Sequence, residues 1–241
     1  MKMCVVLFTL WAVVSIRSVW GDCKADLKNH HVILTIPGDN VGHCSGVLLS
    51  KDWIISAAQC KEKNLEVIID HSPQKTGDRR KIQKTEIFKN SKGEHDIMLL
   101  KIDKEAPATL PRVALPDLKT CKAPANQAAV QFFAWTGASF NFTLNRVVPE
   151  KLQCGSVKVA DCGSSSRYKD DEEMKVYGHQ SLLCTKHPSD ACDLFSGAAL
   201  VSAGKLHGVL VNSDIYCENS LEFINICDGE YRKWILDTTR L

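Results

Sequence analysis

Eleven cysteines are spread through the 241-residue chain, and their pairing constrains its fold more than any other feature. Cys4 opens an apolar run to Ile16, behind Lys2 and ahead of Val19-Trp20-Gly21. A positive start, a short apolar stretch and small or apolar residues at its end form the pattern of a secretory leader cleaved after Gly21. The run is too short for an ordinary membrane span, and Arg17 weakens a span further. Residues 1–21 are therefore expected to be a signal peptide, and the chain to be secreted and extracellular. Ten cysteines remain, an even number in a compartment where disulfides persist. No C-x-x-C pair occurs, so no metal and no cofactor is expected.

Losing Lys2 and Arg17 with the leader leaves positive and negative charges balanced. A neutral chain gives no general attraction to nucleic acid or membrane, so neither is expected as a partner. Hydrophobic content of 44% suits a globular chain with a sizeable core. No later segment is long and apolar enough to span a bilayer.

Short apolar or alternating runs bounded by turn residues predict strands at 32–36, 45–49, 53–56, 65–69, 82–88 and 97–102. Pro107, Pro111, Pro116 and Pro124 then exclude a strand series and predict a linker. A second set follows at 128–133, 152–157, 181–184, 198–202, 207–211 and 221–226. In the last residues Asp228 suits an N-cap, Glu230 the first turn, and Tyr231, Trp234 and Ile235 one apolar face. Two blocks of short strands suggest two barrels closed by a C-terminal helix.

Three motifs give this pattern a family. Cys44-Ser45-Gly46-Val47-Leu48-Leu49 through Ser56-Ala57-Ala58-Gln59-Cys60 resembles the trypsin/chymotrypsin-type serine proteases. His95-Asp96-Ile97-Met98-Leu99-Leu100 resembles their aspartate motif, and Asp190-Ala191-Cys192-Asp193-Leu194-Phe195-Ser196-Gly197 their serine motif. The resemblance covers nearly the whole chain after the leader. It implies an all-β fold of two antiparallel six-stranded barrels and a C-terminal α-helix. One peptidase domain then spans 22–241, with a first barrel at about 22–115, a second at about 125–227 and the closing helix at 228–239. It also implies five disulfides: Cys23–Cys154, Cys44–Cys60, Cys121–Cys227, Cys162–Cys184 and Cys192–Cys217. A sixth bridge of trypsins is absent in both halves, at Val130 and Ser202.

The same motifs depart from the family. The base position holds Gln59, whose amide has no basic nitrogen near neutral pH; Asp96 and Ser196 remain as the other triad positions. His43 and His95 are near enough in sequence to be weighed as substitute bases, although the barrel backbone argues against either. Phe195 stands where the family has an aspartate that pairs with a new N-terminal ammonium after activation, and no activation segment is expected. Leu194 replaces an oxyanion-hole glycine, so preformed donors are not expected. Val211-Asn212-Ser213 replaces the substrate-binding Ser-Trp-Gly. Asp190 matches the acidic pocket base of trypsins, as a remnant that either anchors substrate or is merely solvated. Asp96 needs a new donor, for which the Gln59 amide is the candidate.

These departures predict a protease homologue that is no enzyme and acts by binding or regulation, with an unknown protein partner or acidic glycan, as a monomer. The alternatives are a weak or atypical serine endopeptidase using Ser196, and a decoy or anion-binding protein. The last would use the loop 75–84, where Lys75, Arg79, Arg80, Lys81 and Lys84 oppose a single Asp78; a solvated loop explains the same charges. Asn141-Phe142-Thr143 is a glycosylation sequon.

Overall fold

The computed structural model describes residues 30–38, 42–70, 77–135, 152–162, 179–186, 194–213 and 220–241. Six strands form the first closed barrel: β1 His31–Thr35, β2 Cys44–Leu48, β3 Trp53–Ser56, β4 Glu66–Ile69, β5 Asp78–Asn90 and β6 Gly93–Ile102, in the order β1-β2-β3-β6-β5-β4. A second closed barrel contains β7 Ala129–Ala134, β8 Gln153–Ala160, β9 Leu182–Thr185, β10 Ala199–Ser202, β11 Lys205–Asn212 and β12 Leu221–Asn225, in the order β10-β11-β12-β9-β8-β7. All named strand pairs are antiparallel. The two-barrel fold expected from the sequence is thus the observed one. Closure removes free sheet edges, which a strand-rich chain must otherwise protect.

β-Branched and leucine-rich runs supply the interior. Val32, Leu34, Val47, Ile54, Ile69 and Leu99 are fully buried in the first barrel. Phe132, Leu200, Leu210 and Phe223 fill the second. At Gly155, a Cβ would stand 2.6 Å from the Phe132 ring, so this glycine makes room for an aromatic filler. The proline-rich stretch carries no named strand between β6 and β7.

The basic segment differs from expectation. Residues 78–84 are not a loop but the first half of β5, with Asp78, Arg79, Arg80 and Lys81 registered opposite Ile69, Ile68, Val67 and Glu66 of β4. The ladder to a buried neighbour strand overrides the weak intrinsic strand preference of a charged run.

The helix α1, Gly229–Thr239, begins as predicted: the Asp228 side chain caps it by accepting the Glu230 N–H at 3.0 Å. Tyr231 and Trp234 meet Phe88 of β5 edge-on, at centroid distances of 5.0 and 5.4 Å. Arg232, buried, donates to the Pro116 carbonyl from Nε and Nη2 at 3.0 and 2.5 Å, tying the helix to the inter-barrel stretch. Disulfides join Cys44–Cys60, Cys121–Cys227 and Cys162–Cys184. Cys154 is also disulfide-bonded, while Cys23, Cys192 and Cys217 lie outside the described residues. No described helix is long and apolar enough to cross a membrane.

Candidate active site

The three triad positions lie where the two barrels meet. Asp96 is on β6 and fully buried; Gln59 is on a single 3-10 turn, Ala58–Cys60, after β3; Ser196 is in the turn before β10. Asp96 accepts the Gln59 backbone N–H at 2.7 Å and the Gln59 side-chain amide, Nε2 to Oδ2, also at 2.7 Å. The same Nε2 donates to the Val211 carbonyl at 2.5 Å. Both acceptors lack protons, so the amide must present nitrogen to them, and its two N–H bonds are then spent. Oε1 is left as the acceptor on the other side of the amide. The buried carboxylate therefore has its donor, which offsets much of the cost of burying the charge. A further hold comes from Gln180, whose Oε1 accepts the Asp96 N–H.

Ser196 is fixed by its backbone. Its carbonyl accepts the Ser45 N–H at 2.7 Å, and the next residue, Gly197, donates to the Leu210 carbonyl at 2.7 Å. Gly197 has φ +86°, and a Cβ there would stand 2.0 Å from the Ser45 carbonyl oxygen. Only glycine fits that turn. The Ser196 N–H and hydroxyl have no partner among the described residues, and no hydrogen bond joins Ser196 to Gln59. An unspent N–H beside a serine hydroxyl is what an oxyanion donor requires.

The neighbouring wall departs from the family in a compensated way. Asn212, nearly buried, donates from Nδ2 to Glu222 Oε2 at 3.2 Å, and Glu222 is 3% exposed. Ser213 Oγ donates to the Leu194 carbonyl at 2.8 Å, two residues before Ser196. Glu222 was not singled out from sequence. A lone glutamate inside the apolar run Leu221–Ile226 was the available signal, since such a position is buried only with a partner.

His95 is excluded as a base. It is 3% exposed, its Nδ1 is hydrogen-bonded to Tyr231 Oη at 2.5 Å, and its ring stands edge-on to His179 at 4.5 Å. Burial first, then His179, lowers its pKa; Glu230 and Asp228 pull the other way and Lys92 adds to the lowering. Desolvation drives the Tyr231 hydroxyl pKa upward, so it stays protonated. His43, half-buried, donates its N–H to the Leu34 carbonyl at 2.9 Å.

The positive stripe on β5 is largely matched by carboxylates. Arg79 meets Glu66 at 3.4 Å, Arg80 meets Asp78 at 2.5 Å and Lys84 meets Glu86 at 2.6 Å; Lys81 is exposed. Lys75, Asp190 and Asn141 lie outside the described residues. Cys121, Cys227 and His207 place ligand atoms within 4.8 Å of one another, but the two sulfurs are spent in a disulfide.

Two closed six-stranded barrels followed by a C-terminal helix define the trypsin-like fold class. A family model for trypsin matches residues 22–235, and the chain belongs to the trypsin family. It is 29% identical to Kallikrein-7 of Homo sapiens, over 82% of this chain and 78% of that protein. It is 30% identical to Trypsin-2 of Salmo salar, over 78% and 80%. In fold it resembles neuropsin of mouse brain, with a TM-score of 0.66 at 22% identity, covering 90% of this chain and 96% of that one. The expectation of a non-enzyme is thereby corrected. The relatives are proteases, trypsins and kallikreins among them. A glutamine at the base position does not remove the chain from the trypsin family.

Proposed function

We propose that the protein is an atypical, slow serine endopeptidase with Ser196 as nucleophile and no imidazole base. The observation that carries this reading is the Ser196 turn, held by its carbonyl through Ser45 while its own N–H and hydroxyl have no partner among the described residues. Ser196 Oγ attacks the substrate carbonyl, and its proton leaves to water or hydroxide rather than to an imidazole. The carbonyl oxygen gains the charge beside the Ser196 N–H, and the leaving amine is protonated from water. A second water then hydrolyses the acyl-enzyme. Gln59 keeps Asp96 satisfied and closes the array onto Val211. A comparable triad lacking one member but keeping its oxyanion hole retains roughly 10³–10⁴-fold acceleration over water; with the Ser196 N–H as the donor argued here, turnover is slow.

The leader at 1–21, secretion, the remaining bridges Cys23–Cys154 and Cys192–Cys217, a glycan at Asn141 and Asp190 as base of the substrate pocket belong to the same proposal. The three observed disulfides fit an extracellular chain. The test is labelling by a fluorophosphonate and turnover of activated esters and Arg/Lys peptides, beside Ser196→Ala. Labelling that disappears in the alanine variant is expected, with a rate that climbs with pH because hydroxide takes the proton. Equal signals from the two proteins, or none from either, would overturn the reading.

A further inference from the structure

Phe195 precedes the nucleophile and is 5% exposed. It joins Ile33, Ile68 and Trp135 in one buried apolar cluster, with Leu152 packed against it. Ile33 of β1 pairs with Ile68 of β4 on the outside of the first barrel, since their neighbours Val32, Leu34, Val67 and Ile69 belong to the main core. Trp135 follows β7 of the second barrel. The phenyl ring is therefore a wedge between the barrels.

Hydrogen bonds trace a circuit around the wedge. Phe195 N–H donates to the Trp135 carbonyl at 2.9 Å. Trp135 N–H donates to Ser45 Oγ at 3.3 Å. Ser45 N–H donates to the Ser196 carbonyl at 2.7 Å, and Ser56 Oγ donates to the Ser45 carbonyl at 2.7 Å. Each barrel thus holds one side of the two residues that set Ser196. None of these contacts involves a chain terminus or a charged group.

We propose that Phe195 is a positioning residue: an apolar clamp that orders the Ser196 turn whatever the state of the N-terminus, so that the site is set by folding and not by cleavage of the chain. This rests on Ser196 being the nucleophile, but the clamp has its own readout. Burial of a phenyl ring is not screened by salt and does not depend on terminal charge, whereas an ion pair is sensitive to both.

The experiment compares the chain from Asp22, the same chain with a short extension ahead of Asp22, and Phe195→Ala and Phe195→Leu variants. Fluorophosphonate labelling of folded protein reads the hydroxyl; amide hydrogen exchange at residues 195 and 197 reads the turn. The extended chain should match the natural one in both. Phe195→Ala should label about 10²-fold more slowly and lose exchange protection at 195 and 197 while β2 and β7 keep theirs. Phe195→Leu should recover most of both. A purely structural residue would lower melting temperature without changing labelling per folded molecule. Unchanged exchange and labelling in Phe195→Ala, or loss of protection on extending the N-terminus, would overturn the clamp. A natural protein with protected amides but no labelling would overturn the Ser196 reading alone.

Discussion

An amide where an imidazole is usual changes which proton can move at each residue of the site. Gln59 gives both side-chain N–H bonds away, to Asp96 and Val211, and offers no basic lone pair. Gln59→His would return one. General-base catalysis contributes about 10²–10⁴-fold, so ester turnover should rise by that order and acquire an inflection near pH 6.5, the ordinary imidazole value. The natural protein should show a monotonic rise instead. A revertant whose pH profile keeps the natural shape would mean the imidazole does not reach Ser196. Gly197 is the second residue whose identity is dictated locally. With φ +86° and the Ser45 carbonyl 2.0 Å from a would-be Cβ, Gly197→Ala should cost at least ~2–3 kcal/mol. Urea unfolding would show it, and a loss under ~0.5 kcal/mol would mean the turn can rearrange.

Legibility at the scale of elements varied with how local the cause was. Strands such as β6, which carries the continuous apolar run at 97–100, declare themselves, and Asp228 followed by Glu230 announces the helix start. β5 did not. Its first half is charged, and only pairing with Val67–Ile69 makes it a strand, a tertiary effect that no local window carries. Side-chain partners followed the same rule. Gln59 with Asp96 could be anticipated because a buried carboxylate must have a donor, whereas Glu222 with Asn212 and His95 with Tyr231 join distant segments. The strand assignment also decides what the positive charges do. Arg79, Arg80 and Lys84 each meet a carboxylate, so β5 presents little uncompensated charge. On a heparin column the protein should elute at or below about 0.15 M salt, where exposed charges are already screened beyond about 8 Å. Retention well above that would show that an anion displaces the internal pairs. In the closing helix, Asp228→Ala should cost about 1 kcal/mol by removing the cap, read as a lower urea midpoint at unchanged slope.

Across the whole molecule, the two barrels and the helix meet at a point that titrates. His95 on β6 is enclosed by Phe88 of β5 at 4.9 Å, by His179 at 4.5 Å and by Tyr231 of α1. Its pKa is lowered mainly by burial and then by His179, with Lys92 in the same sense and Glu230 and Asp228 opposing. His207, beside the Cys121–Cys227 bridge, is lowered by burial and by Lys205. The folded state therefore holds both rings neutral at pH values where an unfolded imidazole, with its value of 6.5, takes a proton. When the unfolded state binds more protons, stability rises with pH. The contribution of these rings is intact above 6.5 and is lost as pH falls below it, until the folded rings themselves protonate. Carboxylates held below their usual values, Glu94 by Lys89 and Asp117 by the Lys119 and Thr120 N–H groups, lose their share only below 4.5, so the two effects separate. Melting temperature should be flat from pH 8 to 7 and fall between 6.5 and 5. His95→Asn, which keeps a polar partner for Tyr231 but does not titrate, should flatten that fall. A melting temperature that holds steady down to pH 5, or a His95→Asn variant with the natural slope, would show that the junction of barrels and helix is not where acid loosens the protein.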